Sequence, residues 1–503
     1  MAGTIRTYVD LQAAQQPEGI YLVAPEPGLT MTFEKLQSLS VHLSQYLLEQ
    51  GLQSGDKVAL LMHNGYQACR LFIGIMYSGR CVTPLNMLAQ TSQLEYVLNH
   101  SDAKLVFVAA DQVERLTAAL RNVSREIKVV VCDVDAPEFL PINSAPVPLA
   151  DVDAEDDALM MYTSGTTGQP KGVVLANRSV IAGGEFVSAA HALSARDRVL
   201  GSLPMYHINA QIVVATAALV HGGSIVLPHR FSASTFWQMV VEYKCTWINV
   251  VPTIIAYLLH APDPLEAGLN LSNVRFCRSA SAPLAPAQHR EFEEKFGIGI
   301  IETMGLTETA APAFTNPLDR ALRKIGSPGQ AFGNEAKIVD AAGVQLKAGE
   351  VGEIVLRGPN VMKGYYKNAP ETSKTLSSDG WLRTGDLGYL DDDGFVFVTG
   401  RIKELIIKGG ENIAPREIDE ALLKHPAVLE AAAVGIPDVN YGQEILACII
   451  VKAGHSCTIE ELITFCKTEL GPYKTPKVIK FVGELPKGPS GKVQRLKLLD
   501  LPD

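Results

Sequence analysis

Apolar stretches of strand length alternate with amphipathic stretches of helix length from about residue 57 onwards. The first series of apolar stretches lies at residues 57–62, 80–86, 104–109 and 127–133. A helical pattern covers 66–77, and a capping box of Ser92 and Glu95 predicts the start of another helix. Strand and helix in turn predict parallel α/β layers.

The same alternation returns between residues 223 and 303, which predicts a second α/β sub-domain. Its predicted strands lie at 223–228, 246–251 and 274–279, and its predicted helices begin at Ser234, Thr253 and Pro286. Residues 324–400 change to short strands separated by glycines, which is typical of a small β-rich sub-domain.

A third pattern begins after Gly400, with predicted helices at 416–425 and 459–470 around a strand at 444–452. We therefore predict an α/β fold with two domains. Residues 1–400 form a large N-terminal domain, made of two α/β sub-domains and a small β-rich one. Residues 401–503 form a small, mobile α+β C-terminal domain.

Composition and charge narrow the class of protein. The chain is 47% hydrophobic and carries a net charge of −10, so it can bury a large core and is a poor candidate for nucleic-acid binding. Its eight cysteines are scattered without C-x-x-C spacing, which indicates reduced thiols. No secretory signal or membrane span is evident, so we expect a cytoplasmic protein, for which a homodimer is an open alternative.

One loop, YTSGTTGQPKG at residues 162–172, combines glycines, hydroxyl groups and a lysine directly after an apolar strand. Gly165 and Gly168 let backbone amides turn toward a ligand, and Lys171 adds a positive charge. This chemistry suits phosphate groups. The usual P-loop pattern does not fit, because the two glycines are only three residues apart and Pro170 precedes the lysine. The alternative is a polar surface turn.

Seven further motifs follow this loop in order. They are LPMYH at 203–207, RSASAPL at 278–284, MGLTE at 304–308, GEIVLRGPNVMKGYY at 352–366, WLRTGDLG at 381–388, GRIKELIIKGGENIAPREID at 400–419 and LPKGPSGKVQR at 485–495. Together with the loop they resemble the adenylate-forming superfamily of acyl-CoA synthetases, peptide-synthetase adenylation domains and beetle luciferases. The resemblance covers nearly the whole chain.

The resemblance implies a two-step reaction with ATP, Mg²⁺ and coenzyme A. A carboxylic acid attacks the α-phosphate of ATP to give an acyl-adenylate and pyrophosphate, and the CoA thiol then gives acyl-CoA and AMP. The first step replaces a poor leaving group by a good one. The chain is therefore predicted to be an acid–thiol ligase. The nearest alternative is an adenylating enzyme that loads a carrier protein in trans; luciferase-type oxidation and a non-catalytic nucleotide sensor are the others.

The resemblance also implies roles for individual residues around the nucleotide. Glu308 would hold Mg²⁺, and Thr307 would donate to the α-phosphate. Asp386 and Arg401 would bind the ribose. The β- and γ-phosphates would be held by Thr163, Ser164, Gly165, Thr166, Thr167, Gly168 and Lys171. The adenine would lie against Ser281, Ala282, Pro283, Met304 and Gly305.

The acid, the thiol and the moving parts complete these implied roles. His207 would border the carboxylate without acting as a base, because the acid is already ionised at neutral pH. Lys492 would be catalytic, whereas Lys487 is interpreted as solvent-facing, and Lys403 would be the hinge. The acid pocket would contain His207, Asn209, Ser279, Ala280, Ser281 and Gly305. The pantetheine channel would pass Lys408, Gly409 and Gly410.

The chain departs from the family pattern at a few positions in these motifs. Met304 stands where the family has an aromatic residue on the adenine, so π-stacking is lost. Ala280 replaces a glycine and Ser281 adds a hydroxyl group, and both narrow the acid channel. Asn209 and Gln211 add polarity near its mouth. These departures favour a short, medium or compact acid over a long fatty acid.

Overall fold

The computed structural model describes residues 3–137, 140, 148–163, 169–488 and 493–502. Six residues of the predicted site lie outside these ranges, namely Ser164, Gly165, Thr166, Thr167, Gly168 and Lys492.

Alongside 13 α-helices, the described ranges contain 25 strands. In chain order they are β1 Ile20–Ala24, β2 Leu29–Thr32, β3 Lys57–Leu61, β4 Cys81–Pro84, β5 Ala103–Ala109, β6 Lys128–Cys132, β7 Asp157–Thr163, β8 Lys171–Ala176, β9 Arg198–Gly201, β10 Ser224–Val226, β11 Trp247–Val250, β12 Phe276–Ser279, β13 Ile300–Leu306, β14 Ala311–Thr315, β15 Gly329–Ala331, β16 Glu335–Val339, β17 Gly352–Arg357, β18 Gly364–Tyr365, β19 Leu382–Leu390, β20 Phe395–Arg401, β21 Ile406–Lys408, β22 Glu411–Ile413, β23 Val428–Asp438, β24 Gly442–Val451 and β25 Val478–Phe481.

The α-helices lie between these strands. They are α1 Ile5–Gln15, α2 Phe33–Glu49, α3 Tyr66–Tyr77, α4 Thr91–His100, α5 Val113–Leu120, α6 Asn177–Ala190, α7 Ala217–His221, α8 Phe236–Glu242, α9 Pro252–His260, α10 Pro286–Phe296, α11 Ala369–Thr375, α12 Pro415–Leu423 and α13 Ile459–Lys474. A π-helical segment, Asn209–Thr216, precedes α7.

The first sheet contains the first predicted α/β series, in the order β18-β8-β7-β4-β3-β5-β6. Strands β4, β3, β5 and β6, which are neighbours in this order, run parallel to one another. Helix α3, between β3 and β4 in the chain, is buried along its whole length. The predicted capping box is wrong. Helix α4 begins at Thr91 because Gln93 Oε1 accepts the backbone N–H of Gln90 at 3.1 Å, while Glu95 accepts from Asn122 instead.

The second sheet joins the second α/β series to the β-rich segment, in the order β16-β17-β19-β20-β15-β14-β13-β12-β11-β9-β10-β1-β2. Strand β13 makes the junction, because its first half pairs parallel with β12 and its second half pairs antiparallel with β14. The two predicted sub-domains therefore share one continuous sheet. The crevice beyond the carboxyl ends of such parallel strands is where α/β folds bind ligands.

The C-terminal region has its own sheet, in the order β22-β21-β24-β23, with β25 paired to β24. Helices α12 and α13 cover an apolar cluster centred on Ile418, Leu422 and Leu462. Helix α13 extends to Lys474, beyond its predicted end, and is interrupted at Gly471, where φ is 77°.

The structure also bears on the predicted state of the cysteines and on whether a helix could span a membrane. All eight cysteines are free thiols, and only Cys457 is not fully buried. None of the helices within the described ranges has the length and apolar character that crossing a membrane requires.

Candidate active site

A cavity of about 270 Å³ lies beyond the carboxyl ends of β11 and β12, between the large sheet and the C-terminal region. The large sheet and its loops supply Ser281, Ala282, Pro283, Met304, Gly305, Asp386 and Arg401 to its wall. The C-terminal region supplies Glu404, Arg416, Asp419, Glu420, Lys487 and Arg495. The fold thus brings the predicted adenine and ribose residues together.

The predicted ribose residues, Asp386 and Arg401, are opposite each other on β19 and β20. Arg401 Nε lies 2.7 Å from the buried carboxylate of Asp386. Burial opposes the charge of Arg401, but the carboxylates of Asp386, Glu404 and Glu308 outweigh it and raise the pKa of its guanidinium. A fixed carboxylate beside a fixed cation can bind a diol through acceptors and donors together.

The strand that carries Met304 and Gly305 also places Glu302 in the cavity wall. Any Cβ at position 305 would lie 1.3 Å from the carbonyl oxygen of Ala311, so only glycine fits there. Burial raises the pKa of Glu302, and its Oε2 has no hydrogen-bond partner within the described ranges. Glu302 is not among the predicted site residues, although a glutamate in an apolar strand is itself a signal of function.

The predicted phosphate loop spans a hairpin, because Thr163 and Lys171 are register partners of β7 and β8. Lys171 forms an ion pair with Glu371 and lies 5.0 Å from the centre of the Tyr365 ring. The Tyr365 hydroxyl donates to Glu308 Oε1 at 3.0 Å. Lys171 and Glu308, predicted to act on the phosphates and the metal, are therefore linked through one tyrosine.

Of the residues predicted to contact the acid, Ser281 and Gly305 line the described cavity. Asn209 Nδ2 donates to Ser281 Oγ at 3.2 Å. His207 is half-buried with its ring 5.3 Å from that of Tyr206, and it does not line the described cavity. Ser279 and Ala280 are buried behind the cavity wall.

Two lysines of the C-terminal region form ion pairs with glutamates. Lys487 was interpreted as solvent-facing, but its ammonium pairs with Glu430 at 2.6 Å in the cavity wall. Lys408 is buried, with its ammonium 2.9 Å from Glu444 Oε2, and it does not line the cavity. Gly409 and Gly410 follow it, both with positive φ.

The segments around Lys492 and the hinge also meet at this cavity. Leu485, Val493 and Arg495 line it from both sides of Lys492. Arg495 forms an ion pair with Asp419 and lies 3.3 Å from Glu404. Glu404 ends the 3-10 turn Ile402–Glu404, which contains the predicted hinge residue.

Comparison with known proteins agrees with this geometry. Residues 9–366 match the model of the AMP-binding enzyme family, and residues 417–492 match its C-terminal domain. The chain belongs to the AMP-binding enzyme family. It is an ATP-dependent acid–CoA ligase, and the predicted recognition, fold and reaction are confirmed. ATP and CoA are its co-substrates.

Three members of the AMP-binding enzyme family illustrate the similarity. A sulfoacetate–CoA ligase from Cupriavidus necator is 52% identical over 99% of this chain and 97% of its own length. An oxalate–CoA ligase from Arabidopsis thaliana is 35% identical over 90% of this chain and 89% of its own. The ATP-bound crystal structure of MatB from Rhodopseudomonas palustris has a TM-score of 0.88 at 26% identity and covers 99% of each chain.

Proposed function

We propose that this ligase activates a short acid that carries a second anionic group, and that sulfoacetate is the first substrate to test. The observation that carries the proposal is the 52% identity to a sulfoacetate–CoA ligase along nearly the whole chain. The hydroxyl group of Ser281 at the cavity wall supports it, because Asn209 already donates to its oxygen and a fatty acid would offer its hydrogen no acceptor.

In the first half-reaction, this chain's residues bind ATP and stabilise the charge that gathers on the α-phosphate. Asp386 and Arg401 hold the ribose, and Met304 covers the adenine. Lys171 and the glycine-rich loop hold the outer phosphates, and Lys492 neutralises charge between the carboxylate and the α-phosphate. Thr307 donates to the same phosphate. His207 borders the acid.

Magnesium fits this site through a single protein carboxylate. No cluster of three or more His, Cys, Asp or Glu residues suited to a metal occurs within the described ranges. Mg²⁺ commonly takes one or two carboxylates together with phosphate oxygens and water. Glu308 is the residue that would hold it, beside Tyr365 and near the phosphate loop. The ion would neutralise phosphate charge.

In the second half-reaction, the CoA thiol attacks the acyl-adenylate. We propose that residues 401–503 rotate about Lys403 between the two steps. Rotation would exchange the segment around Lys492 for the loop at Lys408, Gly409 and Gly410. The buried Lys408–Glu444 pair then acts as the rigid base of that loop rather than as a direct CoA ligand. We further propose that the enzyme works in the cytoplasm, without nucleic acid, as a monomer or a homodimer.

The test is a substrate panel with the purified enzyme. Pyrophosphate release and acyl-CoA formation are measured with sulfoacetate, oxalate, malonate, acetate, propionate and octanoate. We expect the highest kcat/KM with sulfoacetate and free CoA as the acceptor. A preference for propionate or octanoate would overturn the proposed substrate class, and the absence of any thioester on CoA would overturn the choice of acceptor.

A further inference from the structure

Arg278 is a buried cation without an anionic partner in the described part of the chain. It lies on β12 between β11 and β13, and its side chain is 2% exposed. Burial lowers the pKa of its guanidinium to about 9, so it remains charged at neutral pH. An unpaired buried charge is costly, so its retention in a strand interior calls for a function.

A chain of hydrogen bonds leads from Arg278 to the cavity. Arg278 Nη1 donates to Asn249 Oδ1 at 3.1 Å, and Asn249 Nδ2 donates to Asn209 Oδ1 at 2.9 Å. Asn209 Nδ2 in turn donates to Ser281 Oγ at 3.2 Å, and Ser281 lines the cavity. We call these four residues the Arg278 relay. Its two asparagines are buried, so no water competes for their amides.

The chemistry of arginine fixes the direction of the relay. A guanidinium only donates hydrogen bonds, so Asn249 must turn its oxygen toward Arg278 and its amide nitrogen toward Asn209. The same logic turns the amide nitrogen of Asn209 toward Ser281. The Ser281 oxygen is then occupied as an acceptor, and its own hydrogen is left to donate. No acceptor for that hydrogen is found within the described residues.

The backbone of Ser281 supports a functional interpretation. Its φ is 73°, in the left-handed region that is strained for a residue with a Cβ. Such strain persists where the surrounding structure holds a residue for a purpose, and it is concentrated at ligand sites. Here it holds the hydroxyl group between Asn209 and the cavity.

We propose that the Arg278 relay makes Ser281 an anion-selective hydrogen-bond donor for the second acidic group of the substrate. Ser281 binds that group, and Arg278, Asn249 and Asn209 are positioning residues that polarise its hydroxyl. The inference rests on the proposed function, and it adds the site and the reason for selectivity. Successive hydrogen bonds that all point one way strengthen each other in a low-dielectric interior.

Two variants test the relay with matched acids. Sulfoacetate carries the second charge, methylsulfonylacetate has nearly the same shape without it, and propionate lacks the polar group. Ser281→Ala removes the donor and keeps the Cβ, so kcat/KM for sulfoacetate should fall about 10- to 100-fold, as for a lost hydrogen bond to a charged group. The ratio of kcat/KM for sulfoacetate to that for propionate should therefore also fall, because propionate has no second group for Ser281 to bind.

Asn209→Asp is the sharper variant, because it preserves the shape and reverses the last hydrogen bond. A carboxylate cannot donate, so the Ser281 hydroxyl would turn toward it and present only lone pairs to the cavity. The ratio of kcat/KM for sulfoacetate to that for propionate should fall further than in Ser281→Ala, and methylsulfonylacetate should lose less activity than sulfoacetate. Ser202→Ala, at a buried serine outside the relay whose hydroxyl has no partner in the described residues, is the control.

The outcomes separate the relay from the proposed function. If the wild-type enzyme turns over sulfoacetate while both variants keep the wild-type ratio of kcat/KM for sulfoacetate to kcat/KM for propionate, the relay alone is overturned. Failure of the wild-type enzyme to use any dianionic acid would overturn the proposed function first. Thermal unfolding identifies a variant that does not fold, and Ser281→Ala, at the half-exposed end of the relay, then decides the matter.

Discussion

At the scale of single residues, the lysine predicted to bind the ATP phosphates is already paired with a carboxylate. Lys171 is paired with Glu371, and this contact lowers the pKa of the Glu371 carboxyl group. ATP phosphates that approach Lys171 must compete with that carboxylate. Glu371 therefore sets how much of the lysine's charge is available to the nucleotide.

The Lys171–Glu371 pair gives opposite predictions for its two members. Lys171→Ala should raise KM for ATP about tenfold or more, because a charge-assisted contact is worth about 1.5–3 kcal/mol. Glu371→Gln keeps the shape and frees the ammonium, so KM for ATP should fall, with a modest loss of stability. Steady-state kinetics at varied ATP measure both. Equal changes in the same direction would show that the pair does not compete with phosphate.

The burial of His191 predicts that the folded state loses stability at acidic pH. His191 stacks on Trp247 and Phe276, and burial lowers its pKa to about 3. The folded state keeps His191 neutral, whereas the unfolded chain takes up a proton below pH ~6.5. Stability should therefore be full above pH ~6.5 and decline by up to about 1.4 kcal/mol per pH unit below it. Melting curves at pH 7 and 5 should show a smaller decline for His191→Gln than for wild type.

At the scale of elements, one half-buried arginine, three residues after Lys492, contacts several parts of the C-terminal region. Arg495 pairs with Asp419 of α12, donates to the carbonyl oxygen of Ala433 on β23 and approaches Glu404 beside the hinge. Burial raises the pKa of Asp419 even though Arg495 opposes this shift. Arg495 thus connects the described segment after Lys492 to α12, β23 and the predicted hinge.

Removing Arg495 alone from the Arg495–Asp419 ion pair should lower the free energy of unfolding more than replacing both residues. Arg495→Met leaves Asp419 buried and unpaired, which should cost about 3–5 kcal/mol of unfolding free energy. The double variant Arg495→Met/Asp419→Asn should recover a large part of the lost unfolding free energy, because it leaves no buried carboxylate. The introduced amide oxygen can still accept the N–H of Ala433, as the carboxylate of Asp419 does. Denaturant unfolding of the whole chain measures the cycle. Additive losses would contradict the proposed coupling.

At the scale of the whole molecule, the cavity is closed on one side by the C-terminal region. The segments that flank Lys492 line it, whereas Lys408 does not. This arrangement suits the adenylation step, and in the mechanism that we propose the region turns about the segment that contains Lys403 before thioester formation.

Two variants should separate the half-reactions. Lys492→Ala should nearly abolish acyl-adenylate formation but still convert a supplied acyl-adenylate to thioester. Lys403→Pro, which fixes φ at the hinge, should keep adenylation and lose thioester formation. Single-turnover assays measure each step, and Lys497→Ala, at an exposed lysine five residues after Lys492, is the control. Parallel loss of both steps in folded variants would rule out the two-conformation mechanism.

The sequence alone determined the layers, the order of the motifs and the reaction. Hydrophobic periodicity predicted α3 without error, and contiguous motifs such as MGLTE indicated the family, because both depend on neighbours along the chain. The capping box at Ser92 failed because several polar residues near that turn compete to cap one helix.

Only the tertiary structure decided which distant residues share a contact. Glu371 meets Lys171 across 200 positions, and Arg495 meets Asp419 across 76. The Arg278 relay joins Arg278 and Ser281 of the RSASAPL motif to Asn249 of β11 and to Asn209 in the segment after LPMYH. Their partnership exists because parallel strands bring their carboxyl ends to one edge of the sheet, and linear patterns do not record strand order.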